Sequence, residues 1–291
     1  MEKIIVFGGS GLVGSRFVQL NQKKFDISAP IHSEVDLLDP KSLADFIEKS
    51  QAKAVVNFAA FTNVDGAEKE KDDKNGLAFK LNAMAPKNLA AICLSLNLHL
   101  VHLSTDYVFD GQKENAPYTE EDEMDPINWY GLTKMLGEEE ILQSGCFHTI
   151  ARIEMPYRAN FAGRSDFARF FLEKLQTGQK ISAVNDQKIT PTFVDDVAKA
   201  LTVMIKKPTQ GIFHVVSTNP TSPYQFALTL AQQFGLNKEL VEAVKFADFN
   251  QGRPACRPQN SWLDTKKFIN TFGEGVLHSV EEEISLFNSQ C

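Results

Sequence analysis

Short apolar runs alternate with longer amphipathic stretches from residue 3 onward, and their order predicts an architecture. Residues 3–7 (KIIVF) read as a strand and residues 12–20 as a helix, because a continuous apolar run gives way to helical spacing. Further strands are predicted at 26–29, 34–38, 54–60, 98–103 and 149–153, with helices over 77–96 and 130–142. Another helix is expected to start at Pro40, since a helix start leaves free the N–H that proline lacks. This alternation argues for an α/β class fold with a parallel sheet covered on both faces. Beyond residue 153 the rhythm weakens: 156–165 read as loop, 166–177 as helix and 180–184 as strand. A helix over 193–205, a strand over 211–216 and a helix over 221–234 follow.

The junction of the first strand and helix carries Gly8, Gly11 and Gly14. Glycines there allow a tight turn, close approach of backbone N–H groups to a pyrophosphate, and close packing of helix on strand. The helix N-terminus then faces an anion favourably. A Rossmann-type, doubly wound sheet that binds a dinucleotide is therefore expected. Residues 1–155 are assigned to that domain, with 193–216 returning to it. Residues 156–192 and 217–291 are assigned to a smaller C-terminal α/β lobe for substrate, not separable by any linker. The second strand ends in Pro30-Ile31-His32-Ser33, with no carboxylate for a ribose hydroxyl and no basic residue for a 2′-phosphate. The choice between NADH and NADPH stays open. Asp36 suits either an adenine amino group or a plain turn.

The chemistry concentrates in Ser104-Thr105-Asp106-Tyr107-Val108-Phe109-Asp110-Gly111, after a predicted strand, and Tyr130-Gly131-Leu132-Thr133-Lys134, opening a predicted helix. Tyr130 and Lys134 are four apart and share a helix face. An ammonium beside a phenol is expected to lower its pKa from about 10 and ready it for proton transfer. Residues 61–65 should form a loop at a strand's carboxyl end, where open α/β sheets bind ligands, and 66–76 a solvated charged stretch. The polar segment 110–126 reads as a surface flap beside the site. Arg253-Pro254, Arg257-Pro258 and residues 260–264 are polar and rigid enough to line a pocket.

Composition narrows the classes. A chain of 291 residues, 43% apolar and 23% charged, can build a sizeable core. Its net charge of −7 argues against a nucleic-acid surface, and no apolar run approaches the roughly 20 residues of a membrane helix. The N-terminal residues lead straight into glycines and read as a strand, not a signal peptide. Cys93, Cys146, Cys256 and Cys291 are scattered, as reduced thiols of a cytoplasmic protein would be, and the six histidines lack metal-ligand spacing. No metal is expected.

With these residues in view, the chain resembles the extended short-chain dehydrogenase/reductase superfamily. It is most similar to the dTDP-4-dehydrorhamnose reductase branch. VNFAAFTNVDGAE, LSTDYVFDG, APYTEEDEMDPINWYGLTKMLGE, NDQKITPTFVDDVA and RPQNSWLDTKKF carry the likeness, which runs from the glycine turn to about residue 268. The resemblance implies an NADPH- or NADH-dependent reduction of the 4-keto group of a nucleotide-activated 6-deoxysugar. It implies Thr105, Tyr130 and Lys134 as the catalytic set. The cofactor would lie on Gly8, Ser10, Gly11, Leu12 and Val13, with Asp36 and Leu37 at the adenine and Phe58, Ala59, Ala60 and Thr62 along its length. Tyr130 and Lys134 would touch it too. Val64, Asp65, Asp106, Tyr107 and Met155 would border the sugar.

There are departures. The family usually reads R-T-S-W-x-Y-G where this chain has Arg152-Ile153-Glu154-Met155-Pro156-Tyr157-Arg158. Met155 thus replaces an indole against the sugar, and Glu154 a small residue. The charged stretch near 69–75 is also longer than usual. Related dehydratases read T-D-E at the site, whereas Tyr107 follows Asp106 here, which disfavours elimination. An epimerase, or a dinucleotide-binding subunit without catalysis, is the alternative. A homodimer formed by docking two helices of each copy is common in the superfamily.

Overall fold

Ile4 and Val6 belong to one buried cluster and Ile5 and Phe7 to another, so both faces of the first strand are covered. Val56, Val101 and Ala151 join the first cluster while Val55, Leu100 and Ile150 join the second. Two-residue alternation into two cores is what a parallel sheet between helix layers requires. The computed structural model describes residues 1–291. Its first half runs β1 (Glu2–Phe7), α1 (Leu12–Asn21), β2 (Phe25–Ser28), α2 (Pro40–Ser50), β3 (Ala54–Asn57), α3 (Val64–Glu68), α4 (Leu77–Phe79), α5 (Ala85–Ser95), β4 (His99–Thr105), α6 (Trp129–Ser144) and β5 (His148–Ile153). The second half holds β6 (Pro156–Tyr157), α7 (Phe167–Gln176), β7 (Ile181–Val184), β8 (Thr192–Phe193), α8 (Val194–Lys206) and β9 (Gly211–His214). It ends with α9 (Pro223–Gln233), β10 (Val241–Val244), α10 (Phe246–Asn250), α11 (Lys266–Phe272) and α12 (Val280–Asn288).

The central sheet has the order β2-β1-β3-β4-β5-β9, and every pair is parallel. The chain order reverses between β1 and β3, so a crevice opens beyond their carboxyl ends. From the second half, β9 pairs with β5 and α8 packs on α1. A third core gathers Tyr157, Phe171, Phe193, Phe226, Ile284 and Phe287 around α7, α9, α12 and the parallel pair β7–β10. No helix is long and apolar enough to cross a membrane.

Four local expectations need correction. Residues 34–38 form no strand. Val35 and Leu37 are buried between outward neighbours, but turn bonds from Glu34 and Val35 to the Ile31 carbonyl, and from Asp39 to Asp36, satisfy the backbone instead. The strand expected over 54–60 ends at Asn57, because its partner β1 turns away at Gly8. Residues 61–65 are not all loop, since Asn63 caps α3 by accepting from the Gly66 N–H. The segment 110–126 is a pinned strap and not a flap. Tyr118 exchanges backbone bonds with Trp262 and Asp264, its ring stacks on Phe109 at 4.3 Å, and Glu120 accepts from the His214 N–H.

The helix expected over 77–96 contains a π turn, Lys80–Met84. Pro86 has no N–H to give the Asn82 carbonyl, and Gly137 of α6 lies directly against that oxygen. Gly137→Ala should place a methyl on a backbone oxygen that cannot move aside. The expected loss is about 1–3 kcal/mol, read from the urea midpoint; an unchanged midpoint would show that the two helices can part at no cost.

Candidate active site

The glycine turn presses against the end of β3. Gly8 has φ +72°, and a Cβ there would stand 2.5 Å from the Ala59 nitrogen. α1 begins after Gly11 with no side chain capping it, so its first-turn N–H groups are left for an anion. Ser10 and Gly11 are exposed, Leu12 is half-buried and Val13 buried. These features fit a dinucleotide pyrophosphate. Phe58, Ala59 and Ala60 continue from β3, half-buried, and Thr62 is exposed. Asp36 accepts from the Leu38 N–H and so serves the turn, while Leu37 is buried and its carbonyl accepts from Asn88.

At the end of β4, Thr105 is buried, and its Oγ1 lies 2.9 Å from Asp106 Oδ1 and accepts from the Tyr107 N–H at 3.3 Å. α6 starts at an Asn128 cap and carries Tyr130 and Lys134 inward, both buried. The Tyr107 and Tyr130 rings meet edge to face at 5.5 Å. Asp65, in the first turn of α3, pairs with Arg257 at 2.6 Å. Arg257 also lies near the Tyr107 side chain, which brings the C-terminal segment to the same place. Met155 follows β5 with φ +42°, a strained conformation for a long side chain.

The expected lowering of the Tyr130 phenol is not found. Burial pushes its pKa up, and the facing Thr105 hydroxyl only partly opposes this. Burial also lowers Lys134 to about 8, against an upward pull from Glu138. Lys134 is engaged elsewhere: its Nζ donates to the Leu103 carbonyl at 2.8 Å and lies 3.3 Å from His102 Nε2.

Sequence reasoning passed over the residues that hold this arrangement. His102 Nδ1 meets Asn57 Nδ2 at 3.1 Å, and Asn57 Oδ1 accepts from the Ala59 N–H, so a buried polar chain links the β3 end to Lys134. Burial, then Lys134, keeps His102 neutral by pushing its pKa well down. In the π turn, Asn82 brackets Phe61, accepting from its N–H and donating to its carbonyl, and also donates to Thr133. Arg158 donates to the Leu12 carbonyl and the Ser15 hydroxyl, setting a guanidinium beside α1. Polar residues inside an apolar strand, such as His102 between Val101 and Leu103, were the available signal.

The RmlD substrate binding domain model matches residues 1–287. A dTDP-4-dehydrorhamnose reductase of Salmonella typhimurium is 33% identical over 282 residues, covering 92% of this chain and 91% of its own. A probable low-salt glycan biosynthesis reductase of Haloferax volcanii is 30% identical over 281 residues, with the same coverage. Among solved structures, dTDP-4-dehydrorhamnose reductase from Bacillus anthracis in complex with NADP superposes with a TM-score of 0.90 at 27% identity, covering 100% of this chain and 99% of its own. Since that family model spans nearly the whole length of the chain, the chain belongs to the RmlD substrate binding domain family.

Proposed function

We propose that this protein is an NADPH- or NADH-dependent oxidoreductase that reduces the 4-keto group of a nucleotide-activated 6-deoxysugar. What supports the reading is that Tyr130 faces Thr105 with Lys134 one turn on in α6, that the glycine turn abuts the end of β3, and that Tyr107 stands in place of a second carboxylate. The relatives are reductases by name, which supports it. Residues 1–155 with 193–216 would hold the dinucleotide, and 156–192 with 217–291 the sugar. Gly8, Ser10, Gly11, Leu12 and Val13 would cradle the pyrophosphate, while Asp36, Leu37, Phe58, Ala59, Ala60 and Thr62 line the remaining length. The reduced nicotinamide supplies the hydride when bound.

The chain's own groups position the carbonyl and manage charge. Thr105 donates a hydrogen bond to the carbonyl oxygen, and Tyr130 delivers a proton to it as negative charge develops. A buried phenol with a raised pKa is fully protonated at neutral pH, the state an acid needs. Lys134 stabilises the phenolate that proton transfer leaves. Val64, Asp65, Asp106, Tyr107 and Met155 border the sugar. The test is to offer a panel of nucleotide-4-keto-6-deoxysugars with each reduced nicotinamide and to follow cofactor oxidation. Tight dinucleotide binding without oxidation of any member would reject the reductase reading.

A pH dependence follows from Lys134. Burial holds its pKa near 8, below its ordinary value, so the cation is populated below that pH and lost above it. Since kcat/KM reports ionisations of the free enzyme, it should fall as pH rises through about 8. A profile flat well past that point would mean that Lys134 does not act as a cation.

A further inference from the structure

Behind Thr105, side chains from distant parts of the chain meet in a space closed to water. Glu154 follows β5 and is 1% exposed. Its Oε1 accepts from the Ser261 hydroxyl at 2.5 Å, and its Oε2 accepts from the Thr190 N–H at 2.6 Å and the Thr190 hydroxyl at 2.7 Å. Asp106, 2% exposed, stands beside it, because Thr105 of β4 pairs with Ile153 of β5 and the two carboxylates come at the next position of each strand. Asp106 Oδ1 holds the contact with Thr105, while Oδ2 is buried with no hydrogen-bond partner. Two ionised carboxylates here, one with an orphaned oxygen, would be costly, and a single shared proton relieves both the burial and the repulsion. Burial, then the Glu154 charge, pushes Asp106 well above the usual carboxylate range, and burial pushes Glu154 up to about 7.

We propose that Glu154 and Asp106, side by side just past the paired ends of β5 and β4, hold one proton between them at neutral pH and thereby set the direction of the Thr105 hydroxyl, which makes Glu154 a positioning residue for the reduction. The proposal rests on Thr105 holding the substrate carbonyl. A carbonyl oxygen only accepts, and Thr105 has one hydroxyl hydrogen. When Asp106 is ionised it takes that hydrogen for itself. When Asp106 carries the shared proton, its own O–H donates to Thr105 Oγ1, and the Thr105 hydrogen is free for the substrate. The same 2.9 Å contact serves both directions.

Of the other groups around the pair, only Lys134, held near 8, exchanges a proton close to neutrality. Tyr130 of α6 and Tyr107 of the β4 turn are phenols pushed upward, mainly by burial. Arg257 of the C-terminal segment stays charged and is directed to Asp65 and Tyr107. Lys134 is engaged on Leu103 and His102, and Thr190 and Ser261 are uncharged. Glu154 stands where the resembling family usually has a small residue, which could not form such a pair.

The test is Glu154→Gln, which keeps the shape and can still accept from Thr190. Losing the like charge removes the second of the two causes that raise Asp106, after burial, so its ionised fraction at neutral pH rises and captures the Thr105 hydrogen. With a sugar reduced by the wild type, kcat at pH 7 should fall on the order of 10²-fold, the cost of one lost donor to a developing oxyanion. KM should change little, and turnover should recover as the pH is lowered into the ordinary carboxylate range. An unchanged kcat, or a loss equal at every pH, overturns the proposal. A second reading needs no turnover: the infrared difference spectrum of wild type minus variant at pH 7 should show the carbonyl stretch of a protonated carboxyl group. Glu283, also buried and pushed upward, cancels in that difference. Absence of the band overturns the shared proton whatever the substrate. Full turnover in Thr105→Ala instead sinks the role of Thr105, and the positioning role with it, even where the band is present.

Discussion

Tyr130→Phe is expected to lower kcat by about 10²–10⁴, the usual worth of a positioned general acid. The substitution removes one oxygen and leaves a ring that packs with Trp129, Ala67 and Ala78 and meets Tyr107 edge to face, so the fold should be unaffected. Because the proton moves only as the carbonyl becomes an alkoxide, kcat and kcat/KM should drop together and KM should hold. The raised phenol pKa bears on this. A proton donor that stays protonated is suited to the reductive direction, whereas oxidation would begin by removing that proton. The variant's dinucleotide affinity, followed by fluorescence quenching, should match the wild type. Turnover near the wild-type value would take Tyr130 out of the reaction and leave Thr105 and Lys134 as binding groups.

The start of the chain was legible because its signals are local. KIIVF, the glycines at 8, 11 and 14, and the helical spacing that follows sit within 20 residues of one another, and β1, the turn and α1 are where they should be. α6 was legible as a helix over 130–142, and its Asn128 cap and closing Gly145 set the observed ends at Trp129 and Ser144. Residues 34–38 show the limit. Their in–out alternation is real, yet a strand needs a backbone partner, and alternation says nothing about whether one is present. The π turn was hidden for a related reason: it depends on Pro86 and on Gly137, which lies 53 residues beyond Met84 (137 − 84) and is brought against the turn only by packing.

Of the candidate site, residue identities were readable and their electrostatics were not. Y-x-x-x-K suggested an ammonium lowering a phenol, which assumes that charge outweighs desolvation. In the folded chain Tyr130 and Lys134 are both so deeply buried that desolvation dominates each, and the two pKa values move toward their neutral forms. His102 and Asn57 were overlooked because a histidine or asparagine in an apolar strand reads as an exception until its partner is known. Glu154 was noticed as a departure, but its meaning came from Asp106, Thr190 and Ser261, three residues that no periodicity connects.

Glu138→Ala should be the most destabilising single change, at about 3–5 kcal/mol, because it strands a buried guanidinium. Arg152 on β5 is 1% exposed and Glu138 on α6 is fully buried. The guanidinium meets the carboxylate through Nε at 3.0 Å and Nη2 at 2.6 Å, lies 5.0 Å from the centre of the Phe109 ring, and already has Nη1 without a partner. The loss should appear as a lower urea midpoint with an unchanged slope. The double change Glu138→Leu with Arg152→Met should regain most of it, since a buried ion pair exchanged for apolar side chains of similar volume is often near neutral. Glu138 also stands four residues after Lys134 and pulls its pKa upward against burial. Both the single and the double variant should therefore move the alkaline limb of kcat/KM to lower pH, while only the single variant loses stability. A limb that stays fixed in the double variant would mean that Glu138 holds the sheet to α6 and nothing more.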